Sequence, residues 1–252
     1  MFNVLQPLTI RIWCCLLLLL VANNTMAQGD STIVSSDERF SARQLIVPGA
    51  LITIGALGVD NGWLRHVRND VRTTMQRWRG QTIGVDDYVQ YLPVVSNVAL
   101  GLCGIPGRHS NAERLCLTAT AYAAMGLMVN GTKHLVREPR PDTGKRNAFP
   151  SGHTATAFMG AELVRSEYGT DLGIAAYTVA TGVAVLRLYN DRHWANDVVA
   201  AAGMGILSAR IAYWLLPLER RLFGLKHDAP LAAVPVYSPS ERNVALTLTI
   251  GL

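Results

Sequence analysis

Apolar positions fall in blocks along this chain, and most blocks follow the helical period rather than the alternation of a strand. Leu45 to Val59 is apolar but short. Pro48, Gly49, Gly55 and Gly58 interrupt it, which predicts a tilted or re-entrant helix rather than a full span. From Trp63 to Arg79, an apolar stripe of Leu64, Val67, Val71, Met75 and Trp78 runs beside Arg65, Arg68, Arg72, Arg77 and Arg79. That is a basic amphipathic helix, resting either on anionic lipid or on the surface of the domain. Tyr88 to Ile105 is the next apolar block, closed by a Pro106-Gly107 turn. Leu115 to Val136 predicts a strong helix whose small residues Ala119, Ala123 and Gly126 would let neighbouring helices approach closely. Thr154 to Tyr168 is shorter and carries Glu162, Arg165 and Glu167; Leu172 to Tyr189 and Asn196 to Leu218 are the last two strong helices. Arg220, Arg221 and Lys226 follow as a basic anchor.

The ends differ from the middle. Arg11 precedes an apolar run from Trp13 to Val21, and small residues at Thr25-Met26-Ala27 follow. This predicts a signal peptide cut after Ala27, with an uncleaved anchor as the alternative; the apolar centre is shorter than the ~20 residues a span needs. At the other end, Val244, Leu246, Leu248 and Ile250 alternate with Ala245, Thr247, Thr249 and Gly251, a strand period, and Val234 to Tyr237 can pair with it across Pro239-Ser240. Two strands cannot close a barrel, so the expected fold is an all-α, membrane-associated helical bundle with a short C-terminal β-hairpin appended. The expected division is 1–27 signal peptide or anchor, 28–62 leader and short apolar segment, 63–86 basic amphipathic helix, 87–226 catalytic bundle and 227–252 tail.

Composition supports this picture. Half the 252 residues are hydrophobic and only 16% are charged, against ~25% in ordinary soluble domains. The net charge of +5 suits anionic headgroups or a phosphorylated substrate, and no basic stretch interleaved with aromatics suggests nucleic acid. Four cysteines, Cys14, Cys15, Cys103 and Cys116, do not make a disulfide scaffold.

The chemistry concentrates between Lys133 and Asp197. Lys133, Arg140 and Arg187 are three cations at the edges of apolar blocks. Forked guanidiniums match the oxygens of a phosphoryl group, and a lysine adds a point charge. Pro150-Ser151-Gly152-His153 precedes a helix, whose first amides point at an anion. Gly152 permits close approach, Ser151 can donate its hydroxyl or cap the helix, and His153 suits general acid duty. His193 and Asp197 are four apart, hence on one helical face. A carboxylate on one ring nitrogen fixes the tautomer and leaves the other bare for attack, so His193 is the candidate nucleophile and a phosphohistidine the candidate intermediate.

Lys133-x6-Arg140-Pro141, Pro150-Ser151-Gly152-His153 and Arg187-x5-His193-x3-Asp197 together resemble the tripartite signature of the type-2 phosphatidic acid phosphatase superfamily, which includes lipid phosphatases, class A acid phosphatases and vanadium haloperoxidases. The resemblance covers about Leu115 to Ala209. It implies the bundle typical of that superfamily, no metal cofactor, and the same roles: His193 nucleophile, Asp197 orienter, His153 acid, and Lys133, Arg140, Arg187, Ser151 and Gly152 phosphate ligands. One departure is Leu186, where the family usually has Ser before the third-block Arg; the lost hydrogen bond is worth about 1 kcal/mol.

Only eight residues separate Pro141 from Pro150, too few for an elaborate lid. The headgroup would then lie near the bilayer plane, favouring a lipid-borne phosphate: lipid A or polyprenyl pyrophosphate first, phosphatidylglycerophosphate third. The alternatives are a soluble periplasmic acid phosphatase, a vanadium-dependent haloperoxidase and a non-catalytic scaffold. The expected location is the bacterial inner membrane with the site facing the periplasm. Four crossings from a cytoplasmic start would instead leave Lys133 in the cytoplasm, a conflict removed if Leu45 to Val59 does not span. The Cys103 and Cys116 thiols would then face the reducing cytoplasm and stay free. Oligomeric state is open.

Overall fold

The computed structural model describes residues 38–225, 232–238 and 243–249. The signal or anchor expected over 1–27 lies outside the described residues. A 3-10 turn, Ala42–Leu45, leads into α1 (Ile46–Asp60); then come α2 (Gly62–Trp78), the single turn α3 (Asp86–Val89), α4 (Leu92–Leu102), α5 (Asn111–Val136), α6 (Gly152–Tyr168), α7 (Thr170–Tyr189) and α8 (Ala195–Phe223). The tail forms β1 (Ala232–Ser238) antiparallel to β2 (Asn243–Thr249), with Val236 opposite Ala245, which is the expected hairpin.

Each helix starts and stops for local reasons. Ser110 accepts the Glu113 amide while Glu113 reaches back to the Ser110 amide, a capping box that opens α5 earlier than hydropathy alone implied. Asn61 caps α2 by accepting from the Leu64 amide. At the other end of α5, Arg137 takes the left-handed conformation, turning the chain out just after Lys133.

Helix α6 is the axis of the bundle. It packs on α4, α7 and α8, and nearly every residue from Thr154 to Glu167 is buried. Its charges are paired inside. Glu162 accepts from Arg165, from Arg210 at 2.5 Å and from the Tyr177 hydroxyl at 2.6 Å.

Helix α1 runs unbroken through the residues expected to interrupt it. With its leading turn it forms a continuous helix, Ala42–Asp60, long and apolar enough to cross a membrane, as are Thr170–Tyr189 and Ala195–Phe223. The glycines are packing sites rather than breaks. A Cβ at Gly55 would lie 2.6 Å from Ala200 and one at Gly58 2.5 Å from Asn196, so only glycine lets α1 lie directly against α8. The small residues of α5 are also placed differently from expectation. Its buried stripe is Leu117, Ala121, Met125 and Val129, while Ala119 and Ala123 lie on the exposed face and Gly126 meets nothing. Leu127 and Leu135 stand 78% and 85% exposed on that helix, an apolar exterior that suits a lipid neighbour.

The ends of α5 and α7 and the starts of α6 and α8 meet at one end of the bundle. A buried ion network closes the opposite end. His109 lies between Glu167, at 2.7 Å from Nδ1, and Glu38, at 3.0 Å from Nε2; the Tyr213 hydroxyl donates to Glu167 at 2.6 Å. Arg220 joins in by donating to Glu113 and Glu38, so it is an internal tie rather than the lipid anchor its position suggested. Burial pulls the His109 imidazole down, but its bonds to Glu167 and Glu38 more than offset this and hold it above its ordinary value. A folded value above the unfolded one stabilises fully below the unfolded pKa, and that stability is lost as pH rises through the folded one. Melting temperature in detergent should therefore fall as pH rises from about 6.5, and His109→Gln should flatten that slope.

Candidate active site

The phosphate-type residues converge where four helix ends meet. Lys133 stands in the last turn of α5, and its Nζ donates to the Asn147 carbonyl at 2.8 Å. Arg140 lies in the following loop, Ser151 is the N-cap of α6, Arg187 ends α7, and His193 sits just before α8, which opens with Asp197 in its first turn. Ser151, Arg187, His193 and Asp197 are all buried.

His193 and Asp197 pair as the spacing predicted: Nδ1 is 3.3 Å from Asp197 Oδ2, and the same oxygen accepts the Trp194 amide at 2.9 Å. The carboxylate is thus held in place by the helix start that it helps to close. Burial first, then the charges of Arg187, Lys133 and Arg140, hold the His193 imidazole well below its ordinary value. At neutral pH that ring is uncharged and faces three cations. Arg187 acts in the same way on His153, so the two imidazoles flank one guanidinium. Both Arg140 and Arg187 keep a buried Nε without a hydrogen-bond partner among the described residues. Buried donors are ordinarily paired, and two orphaned guanidinium donors beside a neutral imidazole fit a phosphoryl group.

Ser151 serves as the cap: its Oγ accepts from the Thr154 hydroxyl at 3.1 Å and from the Thr154 amide at 3.5 Å. A Cβ at Gly152 would meet nothing within 4 Å, so the backbone there borders open space. Among the described residues, no three His, Cys, Asp or Glu side chains gather as a metal site.

Two groups of residues around this cluster were not visible as site residues in the sequence. The first comes from α2. Arg72 grips Asp191 with a fork, Nε to Oδ1 at 2.8 Å and Nη2 to Oδ2 at 2.9 Å, and Nη2 also donates to the Pro141 carbonyl at 2.8 Å. Arg68 pairs with the buried Glu138, and both guanidiniums lie over Trp194, 4.6 and 5.2 Å from its ring centroid. These two arginines face the protein and stitch the Arg140 loop to the turn that carries His193. Glu138 lies next to the His193–Asp197 pair: Asn196 Nδ2 donates to it at 3.1 Å and to Asp197 Oδ1 at 3.3 Å. Burial, then the neighbouring Asp197 carboxylate, push Glu138 up to about 7, with Arg68 offsetting this only in part.

The second group comes from α3. Asp86 is buried and accepts from Arg187 Nη1 at 2.6 Å, and Asp87 accepts from the same nitrogen at 3.3 Å and lies 2.7 Å from His153 Nε2. Beside them a polar cleft of about 170 Å³ opens, lined by Thr82, Gly84, Asp86, Asp87, Arg187, Asn190 and Arg192. A tandem of acids after Gly84 carries no periodic signal, so only the fold reveals it.

The family model of the PAP2 superfamily matches residues 114–221. A curated relative, a lipid A 1-phosphatase of Porphyromonas gingivalis, is 38% identical over 138 residues, which cover 53% of this chain and 31% of the relative. The chain thus spans about a third of the length of the curated relative it matches. Among solved structures, Aquifex aeolicus LpxE is 18% identical with a TM-score of 0.41, covering 69% of this chain and 96% of its own. A transmembrane PAP2-type phosphatidylglycerolphosphate phosphatase from Bacillus subtilis is 17% identical with a TM-score of 0.39, covering 86% and 97%. Three helices able to span and a bacterial relative place the chain in a bacterial membrane. The stretch that the PAP2 superfamily model matches, residues 114–221, carries Lys133, Arg140, Ser151, Gly152, His153, Arg187, His193 and Asp197.

Proposed function

We propose that this protein is a lipid phosphatase working through a phosphohistidine. The observation that carries the reading is the neutral, carboxylate-held His193 imidazole facing the charges of Lys133, Arg140 and Arg187. In this scheme the bare nitrogen of His193 attacks phosphorus while Asp197 stabilises the positive charge that develops on the ring. Lys133, Arg140 and Arg187, with the Ser151 hydroxyl and the Gly152 backbone, hold the phosphoryl oxygens, where charge is spread in the transition state. His153 protonates the leaving oxygen, and water then hydrolyses the phosphohistidine.

The curated relative's name makes the 1-phosphate of lipid A the leading substrate, ahead of polyprenyl pyrophosphate and phosphatidylglycerophosphate. We place the protein in the inner membrane with the site on the periplasmic face. Helix α1 starts at the end of the bundle opposite the site, where Glu38 meets Arg220, and finishes beside Asn196. From a cytoplasmic Glu38, the runs of α1, α4 and α5 carry Lys133 to the outer side; in this arrangement Leu45 to Val59 crosses and the run from Trp13 to Val21 does not, in place of the signal peptide or anchor expected there. Cys103 and Cys116, at the other end, are free thiols, as a cytoplasmic position requires.

The test is phosphate release by detergent-purified protein from lipid A bisphosphate, undecaprenyl pyrophosphate, phosphatidylglycerophosphate and a soluble aryl phosphate. The expected result is a kcat/KM for one of the lipids at least about tenfold above the soluble ester, because remote binding energy is realised only with the whole substrate. A preference for the soluble ester overturns the lipid reading.

A further inference from the structure

The acids of α3 stand against the cluster without a part in the scheme above, and they differ sharply from each other. Asp86 is 1% exposed at its side chain and fixes Arg187 from within. Asp87 is 60% exposed at its side chain, yet it lies 2.7 Å from His153 Nε2. An exposed carboxylate gains little from a single ion pair, so packing does not account for its place. Its partner does. His153 is the group that must carry a proton to the leaving oxygen, and its surroundings oppose that role, since burial and the Arg187 guanidinium both disfavour its charged form. The charged groups acting on the ring are Arg187 from α7 and Asp86 and Asp87 from α3; of the two acids, Asp87 is the one bonded to it. The influence is mutual, since the bond to His153 holds the Asp87 carboxyl below its ordinary range, so Asp87 stays ionised.

We propose that Asp87 is a positioning residue for His153, fixing the ring through Nε2 and keeping Nδ1 as the nitrogen that delivers the proton. The inference rests on the phosphatase reading. In the step it serves, the bond from His193 to phosphorus forms as the bond from phosphorus to the leaving oxygen breaks. That oxygen keeps the electron pair of the broken bond and takes the Nδ1 proton of His153. Asp87 stays ionised and retains its hydrogen bond from Nε2. The site would then hold two histidine–carboxylate pairs of opposite duty: Asp197 supports a ring that attacks, and Asp87 one that gives up a proton.

Asp87→Asn, Asp87→Glu and the unaltered protein are compared on one lipid phosphate between about pH 5 and about pH 9. The expected result for Asp87→Asn is an alkaline limb of kcat moved to lower pH. Near pH 8 its kcat falls by about tenfold to a hundredfold, with nearly full activity at the acid end and little change in KM. Asp87→Glu restores the profile. A uniform loss at every pH, with no shift, assigns Asp87 a merely structural role and overturns the proposal. So does a gain in activity with tighter inhibition by inorganic phosphate, which would make Asp87 an occluding group. The His153 ring is also titrated by NMR in the unaltered protein and in Asp87→Asn, its resonance assigned with His153→Gln. The expected change is titration at lower pH in Asp87→Asn, and an unchanged titration overturns the proposal. Should the unaltered protein release no phosphate from any substrate, the phosphatase reading falls, while the ring titration still decides whether Asp87 governs His153.

Discussion

Purified His193→Ala protein should lose at least about 10⁴-fold in kcat, because the nucleophile and its partners act as a unit and the residual rate comes from binding alone. The Ala side chain still lets Asp197 accept the Trp194 amide, so helix α8 keeps its start and the loss is chemical rather than structural. Two measurements check this: phosphate release, and a melting temperature in detergent close to that of the parent. Acid-quenched protein turning over a labelled lipid should trap label on the parent chain and none on the variant. Retained turnover would remove His193 from the role of nucleophile.

Arg187→Ala should combine a catalytic and a structural defect. Loss of one preorganised donor to developing charge lowers kcat by about 10²–10³-fold. The same change strands Asp86, a carboxylate with 1% of its side chain exposed, without its guanidinium. Breaking a buried pair from one side destabilises by about 3–5 kcal/mol. The two effects separate in the double variant Arg187→Ala with Asp86→Asn, which should regain much of the melting temperature and none of the activity. Arg187→Lys keeps the charge but not the fork, and should fall between the parent and Arg187→Ala in kcat/KM.

The helices and the core of the site were legible in the sequence because both are written locally. Apolar blocks mark helices, and Lys133, Arg140, Ser151, His153, Arg187, His193 and Asp197 stand at the block edges where helix ends converge. What was not legible depends on partners distant in sequence. Periodicity showed that Arg68 and Arg72 share a polar face, but not that Glu138 and Asp191 lie opposite them. The glycines of α1 looked like interruptions because the close approach of Asn196 and Ala200, some 140 residues on, is invisible in a local window. Asp86 and Asp87 sit in a short polar stretch with no period, and their value comes entirely from Arg187 and His153. Leu186, a visible departure from the family pattern, lies half-buried just before Arg187.

The meeting of four helix ends has a mechanical corollary. Apart from Arg140, which lies in the loop after α5, the cationic and capping groups of the cluster ride on the tips of rods: Lys133 on α5, Ser151 on α6 and Arg187 on α7. Rods in a bilayer lean to match the depth of the hydrocarbon they cross, and a small change of lean at the anchored end becomes a displacement at the tip. The spacing between imidazole and guanidiniums is therefore tied to the thickness of the surrounding lipid, and the host membrane becomes part of the geometry of the site.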